Sequence, residues 1–294
     1  MTGFVVEFGL PCDGCPRAGE ASGLHEVHVG GGQLLMVRLF QSWYPESIPR
    51  RAEELRNCLQ ANLALACVDQ VCLLLERGAV PPLTHPKLRF RAVTARPTYQ
   101  DFFRWANELC VDRHDITAIA NSDIYFDQTL RLLVEELQPH QCSALSRWDV
   151  RADGTAVLFD RNDSQDVWVF RGPVRKVVAD YCVGIPRCDN RILFELRQAG
   201  YRVINPALTV RAMHLHAGLR EEYPGELAGP FVPGPYEYLY PHNLLSLPAL
   251  MQRKLAGTAH GAVWTVDWRL WRTYAPDRVL RRLLRRLIRR GRRL

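Results

Sequence analysis

Residues Ile116-Thr117-Ala118-Ile119-Ala120-Asn121-Ser122-Asp123-Ile124-Tyr125-Phe126-Asp127 read as an apolar strand that stops abruptly at a carboxylate. A short apolar run bounded by turn residues has the pattern of a buried strand. The segments before it repeat that signal. Residues 34–43 form one apolar run, ending in polar Gln41 and Ser42 before Trp43. Residues 68–76 form a second, and 88–93 a third strand with basic residues interleaved. Between them, Pro49 and Glu53-Glu54 open a helix with Leu55, Leu59 and Leu63 at four-residue spacing. Residues 99–110 carry Phe102, Phe103, Ala106 and Leu109 with helical period. Strands alternating with helices imply an α/β fold with a mostly parallel sheet and helices on both faces. Ligands of such sheets bind outside the carboxyl ends of the strands. Asp123 stands at that edge, where it could hold a hard divalent cation or close an Asx turn.

Beyond Asp127 the pattern is less regular. Residues 130–137 and 189–199 read as helices, the second ending at Gly200. Strands are expected at 143–147, 167–170, 201–204 and 209–213. Asp189, in Cys188-Asp189-Asn190-Arg191, opens its helix, as a cap or as an ionised base. Met213-His214-Leu215-His216 places two imidazoles on one side of a strand. Either could complete a metal shell begun by Asp123, or simply mark a polar strand edge. Trp148, Asp149 and Asp166 combine aromatic faces with polar groups, as sugar or acceptor sites do; the alternative is surface packing.

The order of these segments resembles that of glycosyltransferases with the GT-A, nucleotide-diphospho-sugar-transferase-like fold, most nearly the family 2-like group. Asn121-Ser122-Asp123 stands where that group has an Asp-x-Asp motif. The sixteen residues from Cys188 to Val203, with Ala199-Gly200-Tyr201-Arg202 near their end, resemble its Glu-Asp motif, helix and following strand. His214 or His216 falls where a late metal-binding histidine occurs. The resemblance implies a nucleotide-sugar donor, Mn²⁺ or Mg²⁺, and a glycan or lipid-linked acceptor. It implies that Asp123 and a histidine hold the metal and that Asp189 deprotonates the acceptor, with inversion as the stereochemical expectation. It further implies that Gln41, Ser42, Trp43, Arg96, Asn107 and Asn121 face the donor. Two departures stand out. Asn121 replaces the first acid of one motif and Cys188 the Glu of the other. The rival readings are a catalytically silent nucleotide-sugar-binding or scaffold protein and a nucleotidyltransferase.

Charge divides the chain. The formal net charge of the 294 residues is +7. The segment from Asp277 to Leu294 holds nine arginines and one acid, and the rest of the chain holds 29 basic and 30 acidic residues. The body is thus nearly neutral, which argues against a surface spread for nucleic acid. In the basic segment, apolar Val279, Leu280, Leu283, Leu284, Leu287 and Ile288 cover one half of a helical wheel and arginines the other. This amphipathic helix suits an anionic membrane surface, with a solvated helix packed on the body as the alternative. Trp264, Trp268 and Trp271 lie just upstream as interfacial anchors.

The expected organisation is a leader at 1–33, a catalytic domain at 34–245 and a basic helical segment at 246–294. In the leader, Cys12, Cys15, His25 and His28 could hold zinc, but their spacing is shorter than a finger's, and a glycine-rich leader is the other reading. Nine cysteines without regular spacing suit reduced thiols. No secretory signal and no apolar run of about 20 residues is readable. The expected location is cytoplasmic, peripheral to the inner face of the membrane. Deleting residues 277–294 is expected to weaken co-sedimentation with anionic liposomes while leaving the thermal melt of the body unchanged. Equal sedimentation of the truncated protein would refute that assignment.

Overall fold

The computed structural model describes residues 35–215 and 231–267. The described elements follow in the order β1 (Val37–Trp43), α1 (Pro49–Ala64), β2 (Gln70–Glu76), β3 (Leu88–Val93), α2 (Tyr99–Leu109), β4 (Ile116–Ala120) and β5 (Ile124–Phe126). Then come α3 (Leu130–Glu136), β6 (Gln141–Leu145), β7 (Arg147–Val150), β8 (Ala156–Leu158) and β9 (Val167–Arg171). The last are α4 (Cys188–Gln198), β10 (Arg202–Ile204), β11 (Ala212–His214) and α5 (Leu247–Leu255).

The main sheet runs β10-β6-β9-β4-β1-β2-β3. Every neighbouring pair is parallel except the two made by β9, which runs antiparallel to both β4 and β6. The α/β fold with a mostly parallel sheet is therefore as expected. Its two faces follow from the two-residue period of a strand. On β1, Val37 and Leu39 point into the core covered by Leu59 and Leu63 of α1 and Leu130 and Leu133 of α3. Phe40 points the other way, into the core formed with Phe102 and Phe103 of α2 and Ile192, Leu193 and Leu196 of α4. Each strand of the centre is buried on both sides, which is why it reads as an unbroken apolar run. A second sheet, β5-β11-β7-β8, stands beyond the carboxyl end of β4.

Local chemistry sets the boundaries. Thr98 and Asp101 close a reciprocal capping box at the start of α2. Gly200, at φ +83°, ends α4 in the left-handed region that favours glycine. The strand expected at 143–147 is two strands. Ser146 breaks it, because its N–H donates to Asn205 Oδ1 (3.1 Å) and its hydroxyl to the carbonyl of Ser164 (3.1 Å), so the ladder cannot continue. The strand expected at 209–213 shortens to β11 because the amides of Thr209 and Val210 fold back on the carbonyl of Pro206.

The described part of the C-terminal segment packs on the body, with Leu250 of α5 buried beside Leu132. The amphipathic segment 277–294, His216, Trp268, Trp271 and the leader with Cys12, Cys15, His25 and His28 lie outside the described residues. No described helix is long and apolar enough to cross a membrane. The seven described cysteines are all free thiols.

At the amino edge of the sheet, Arg38 and Asp115 form a buried ion pair at 2.8 Å. Asp115 also accepts the backbone amides of Met36 (3.2 Å) and Val111 (3.1 Å). Removing one partner of such a pair leaves a charge without its counter-ion in the interior. Asp115→Ala is expected to lower stability by about 3–5 kcal/mol in urea unfolding.

Candidate functional site

A cleft of about 680 Å³ opens at the carboxyl edge of the sheet. Asp123, Asp166 and Asp189 line it together with His214 and five arginines. β4 delivers Asn121 and Asp123. The reversal of β9 brings Asp166, the residue before that strand, to the same edge. α4 delivers Asp189 in its first turn.

Asp123 is the most tightly held acid. Its Oδ2 accepts from Arg51 Nη2 of α1 and from His214 Nε2 at 3.2 Å. Arg51 is itself held by Glu54 (3.0 Å) and the carbonyl of Leu215 (3.2 Å). Burial alone would raise the Asp123 pKa, but His214 and Arg51 outweigh it and hold the carboxyl well below the usual range. His214 bonds carboxylates on both ring nitrogens, with Asp149 Oδ1 at 2.9 Å on Nδ1. Burial opposes the charged ring, yet the two carboxylates push its pKa up to about 9. Both nitrogens therefore carry protons and donate.

Asp166 has one cation, Arg147, at 3.3 Å, and accepts Asn121 Nδ2 at 2.8 Å. Burial raises its pKa despite Arg147. The contact explains the first motif departure. An aspartate at 121 would face Asp166 with like charge, whereas the amide donates to it.

Asp189 has no ion-pair partner among the described residues. Its oxygens accept only backbone amides, from Asn190 (3.0 Å) and Gln165 (3.3 Å). Burial first, and the charge of Asp166 second, raise its pKa to about 7. The neighbouring Cys188 explains the second departure. It is buried among Tyr99 and Trp168 in the core, 3.6 Å from the tyrosine hydroxyl, and burial pushes its thiol up to about 12. A glutamate would not fit that apolar position without a partner.

The other expected site residues divide. Ser42 lines the cleft and bonds Ser122, and Arg96 lines it as well. Gln41, expected to face a donor, is instead a buried strut that donates to the carbonyls of Asn121 (2.9 Å) and Ile124 (3.0 Å). Asn107 likewise braces the backbone of Val174 through both its amide atoms. Trp43 packs on the core. Trp148 donates to the carbonyl of Ala207 at 2.8 Å and is not among the lining residues, so it offers structural support rather than a sugar platform. Asp149 orients His214 and pairs with Arg147 at 2.8 Å.

Arg51, Arg147 and Arg187 were not expected. Arg187 immediately precedes the Cys188-Asp189 pair, and Arg147 sits beside Trp148, so adjacency was a usable signal. Arg51 had none, since on a helix it reads as a surface charge three residues from Glu54.

The residues around Asp123 do not fit a divalent metal. One acceptor, Asp123 Oδ1, is buried without a hydrogen-bond partner. A hard cation takes about six oxygen ligands. Here the second carboxylate oxygen is filled by Arg51 and His214, and both imidazole nitrogens face carboxylates. Among the described residues no group of three metal-ligating side chains is arranged to hold an ion.

No protein-family model matches the sequence, and no curated protein matches it. Several solved structures are similar at low identity. A mannosyltransferase from Pyrobaculum calidifontis, solved with GDP-Man and Mn²⁺, is 13% identical with a TM-score of 0.40, covering 64% of this chain and 58% of its own. A 2-C-methyl-D-erythritol 4-phosphate cytidylyltransferase from Francisella tularensis is 11% identical with a TM-score of 0.39, covering 64% and 96%. A candidate nucleotide-diphospho-sugar transferase from Desulfovibrio desulfuricans G20 is 14% identical with a TM-score of 0.37, covering 58% and 80%. At such scores they add nothing to what the sheet order already shows.

The Asp166–Asp189 coupling is directly measurable. Asp166→Asn removes a like charge and is expected to lower the Asp189 pKa below about 7 in a ¹³C carboxyl titration. An unmoved titration would assign the whole shift to burial.

Proposed function

We propose that the chain is a glycosyltransferase that moves a sugar from a nucleotide-sugar donor to a hydroxyl acceptor. The observation that carries this reading is Asp189, a carboxyl with no counter-ion among the described residues and a pKa near 7, lining an arginine-rich cleft. A carboxylate of that pKa is matched to proton abstraction near neutral pH. The resemblance of residues 188–203 to a glycosyltransferase segment supports the same role.

In the proposed reaction the acceptor oxygen attacks the anomeric carbon as Asp189 takes its proton. The bond to the leaving phosphate oxygen breaks, and its electron pair departs with the nucleoside diphosphate. Attack opposite the leaving group inverts the anomeric centre. Asp166 keeps the Asp189 pKa high, and Asn121 and Arg147 hold Asp166 in place. Divalent-metal use, which the sequence resemblance implies, has no step here, because the donor set around Asp123 does not fit it. A glycan or lipid-linked acceptor is what the sequence resemblance implies, and the composition of residues 277–294 suits an anionic membrane surface.

Donor turnover with a panel of nucleotide sugars tests the reading. The protonated base is inactive, so kcat is expected to rise with pH through about 7 and then level. Asp189→Asn is expected to lower kcat by roughly 10²-fold or more and to flatten that limb. Tight nucleotide-sugar binding without turnover by the parent protein would instead establish a silent binding protein.

A further inference from the structure

Two guanidinium groups of the cleft differ from the rest. Arg51 and Arg147 lie against carboxylates, as does Arg161 against Asp163 at 2.5 Å. Arg96 and Arg187 also line the cleft, but no described carboxylate lies within ion-pair distance of either. They flank one short segment. The Arg96 guanidinium rests against Gly184, where any Cβ would collide with it, and Gly184 adopts φ +76°. Arg187 caps α4, two residues before Asp189, in the left-handed conformation at φ 73°. That conformation costs a non-glycine residue on the order of 1–2 kcal/mol. The fold nevertheless keeps a large cation there, exposed, with the Tyr236 ring 5.7 Å from its guanidinium and Asp163 nearby but beyond ion-pair distance.

We propose that Arg96 and Arg187 bind the diphosphate of the donor and offset the charge of the departing nucleoside diphosphate, so that donor binding requires no divalent metal. This rests on the glycosyltransferase reading above. A leaving diphosphate needs positive charge that is not already neutralised. Arg51 is committed to Asp123 and Glu54, so one of the two Asp123 oxygens that a cation would use is taken by a guanidinium whose departure would weaken the pairing of two acids. Arg96 and Arg187 have Glu76 and Asp163 as carboxylate neighbours, each beyond ion-pair distance, so neither is locked in a pair. Guanidinium forks match phosphate oxygens in pairs, as a point charge does not. Inversion needs the base and the leaving group on opposite faces of the anomeric carbon, so in this arrangement the sugar lies between Asp189 and the diphosphate held by the two arginines. Asp123 in this arrangement is a positioning residue that fixes Arg51 and His214.

Calorimetric titration of the full chain with UDP, GDP, CDP and ADP, in EDTA and again in Mn²⁺, tests the proposal. At least one diphosphate is expected to bind with the same Kd in both. Arg187→Gly is the informative variant. It relieves the backbone, so its Tm should hold or rise, while diphosphate affinity falls roughly tenfold or more. Arg96→Gln, with its Tm checked in parallel, should weaken binding similarly. Binding that appears only with Mn²⁺ would overturn the proposal and leave the transferase reading intact. Unchanged affinity in Arg187→Gly would overturn it too. Failure of every diphosphate to bind, with and without metal, would defeat the transferase reading itself and this inference with it.

Discussion

Three carboxylates share an edge of the sheet where little water reaches them. A carboxylate in that setting must be paired, hydrogen-bonded or protonated. The cleft grades these solutions along its length. Asp123 has two cationic partners and stays ionised. Asp166 has one and is raised above the ordinary value. Asp189 has only backbone amides among the described residues, and burial, with the charge of Asp166, raises it to about 7. A proton is therefore readily held and released near neutral pH where α4 begins. The rest of the site follows from keeping that order. Arg51 from α1, Arg147 from β7 and His214 from β11 all serve the acids that must stay charged.

The central strands were legible because they are buried on both faces, so β1, β2 and β4 read as apolar runs with nearly correct limits, while β3, at the edge, is mostly exposed and carries arginines between its apolar residues. The second sheet was not legible. β5, β8 and β11 have three residues each, too short for a periodic signal. The single antiparallel strand had a further effect. In a parallel sheet, functional residues follow strands, and Asp123 was found that way. Because β9 runs backwards, the residue that precedes it reaches the same edge, which is how Asp166 arrives beside Asn121. Its sequence position gives no hint of that reversal.

Motif matching located Asp123, Asp189 and His214 but could not say what surrounds them. A residue pair such as Asp123 and His214 reads as metal ligands until Arg51, more than seventy residues away in the chain, is known to lie between the possibilities. Long-range partners of this kind leave no local pattern. The amides Gln41 and Asn107 show the converse. They stand at positions expected to face a donor, yet their hydrogen bonds to main-chain carbonyls and amides make them part of the frame. Short polar side chains at strand and helix ends serve both purposes, and only their partners distinguish the two.

The contact between Gly184 and Arg96 has a consequence for how the sequence can drift. Position 184 tolerates no side chain while the guanidinium lies over it. An alanine there becomes sterically possible only after Arg96 has shortened or moved, and its positive φ would still disfavour it. Once the arginine has gone, nothing in that contact holds the glycine. The two positions, 88 residues apart, behave as one locus whose changes depend on order. Among descendants of this chain, a side chain at 184 should appear only where Arg96 has already been replaced, and the positive φ at 184 still favours glycine there.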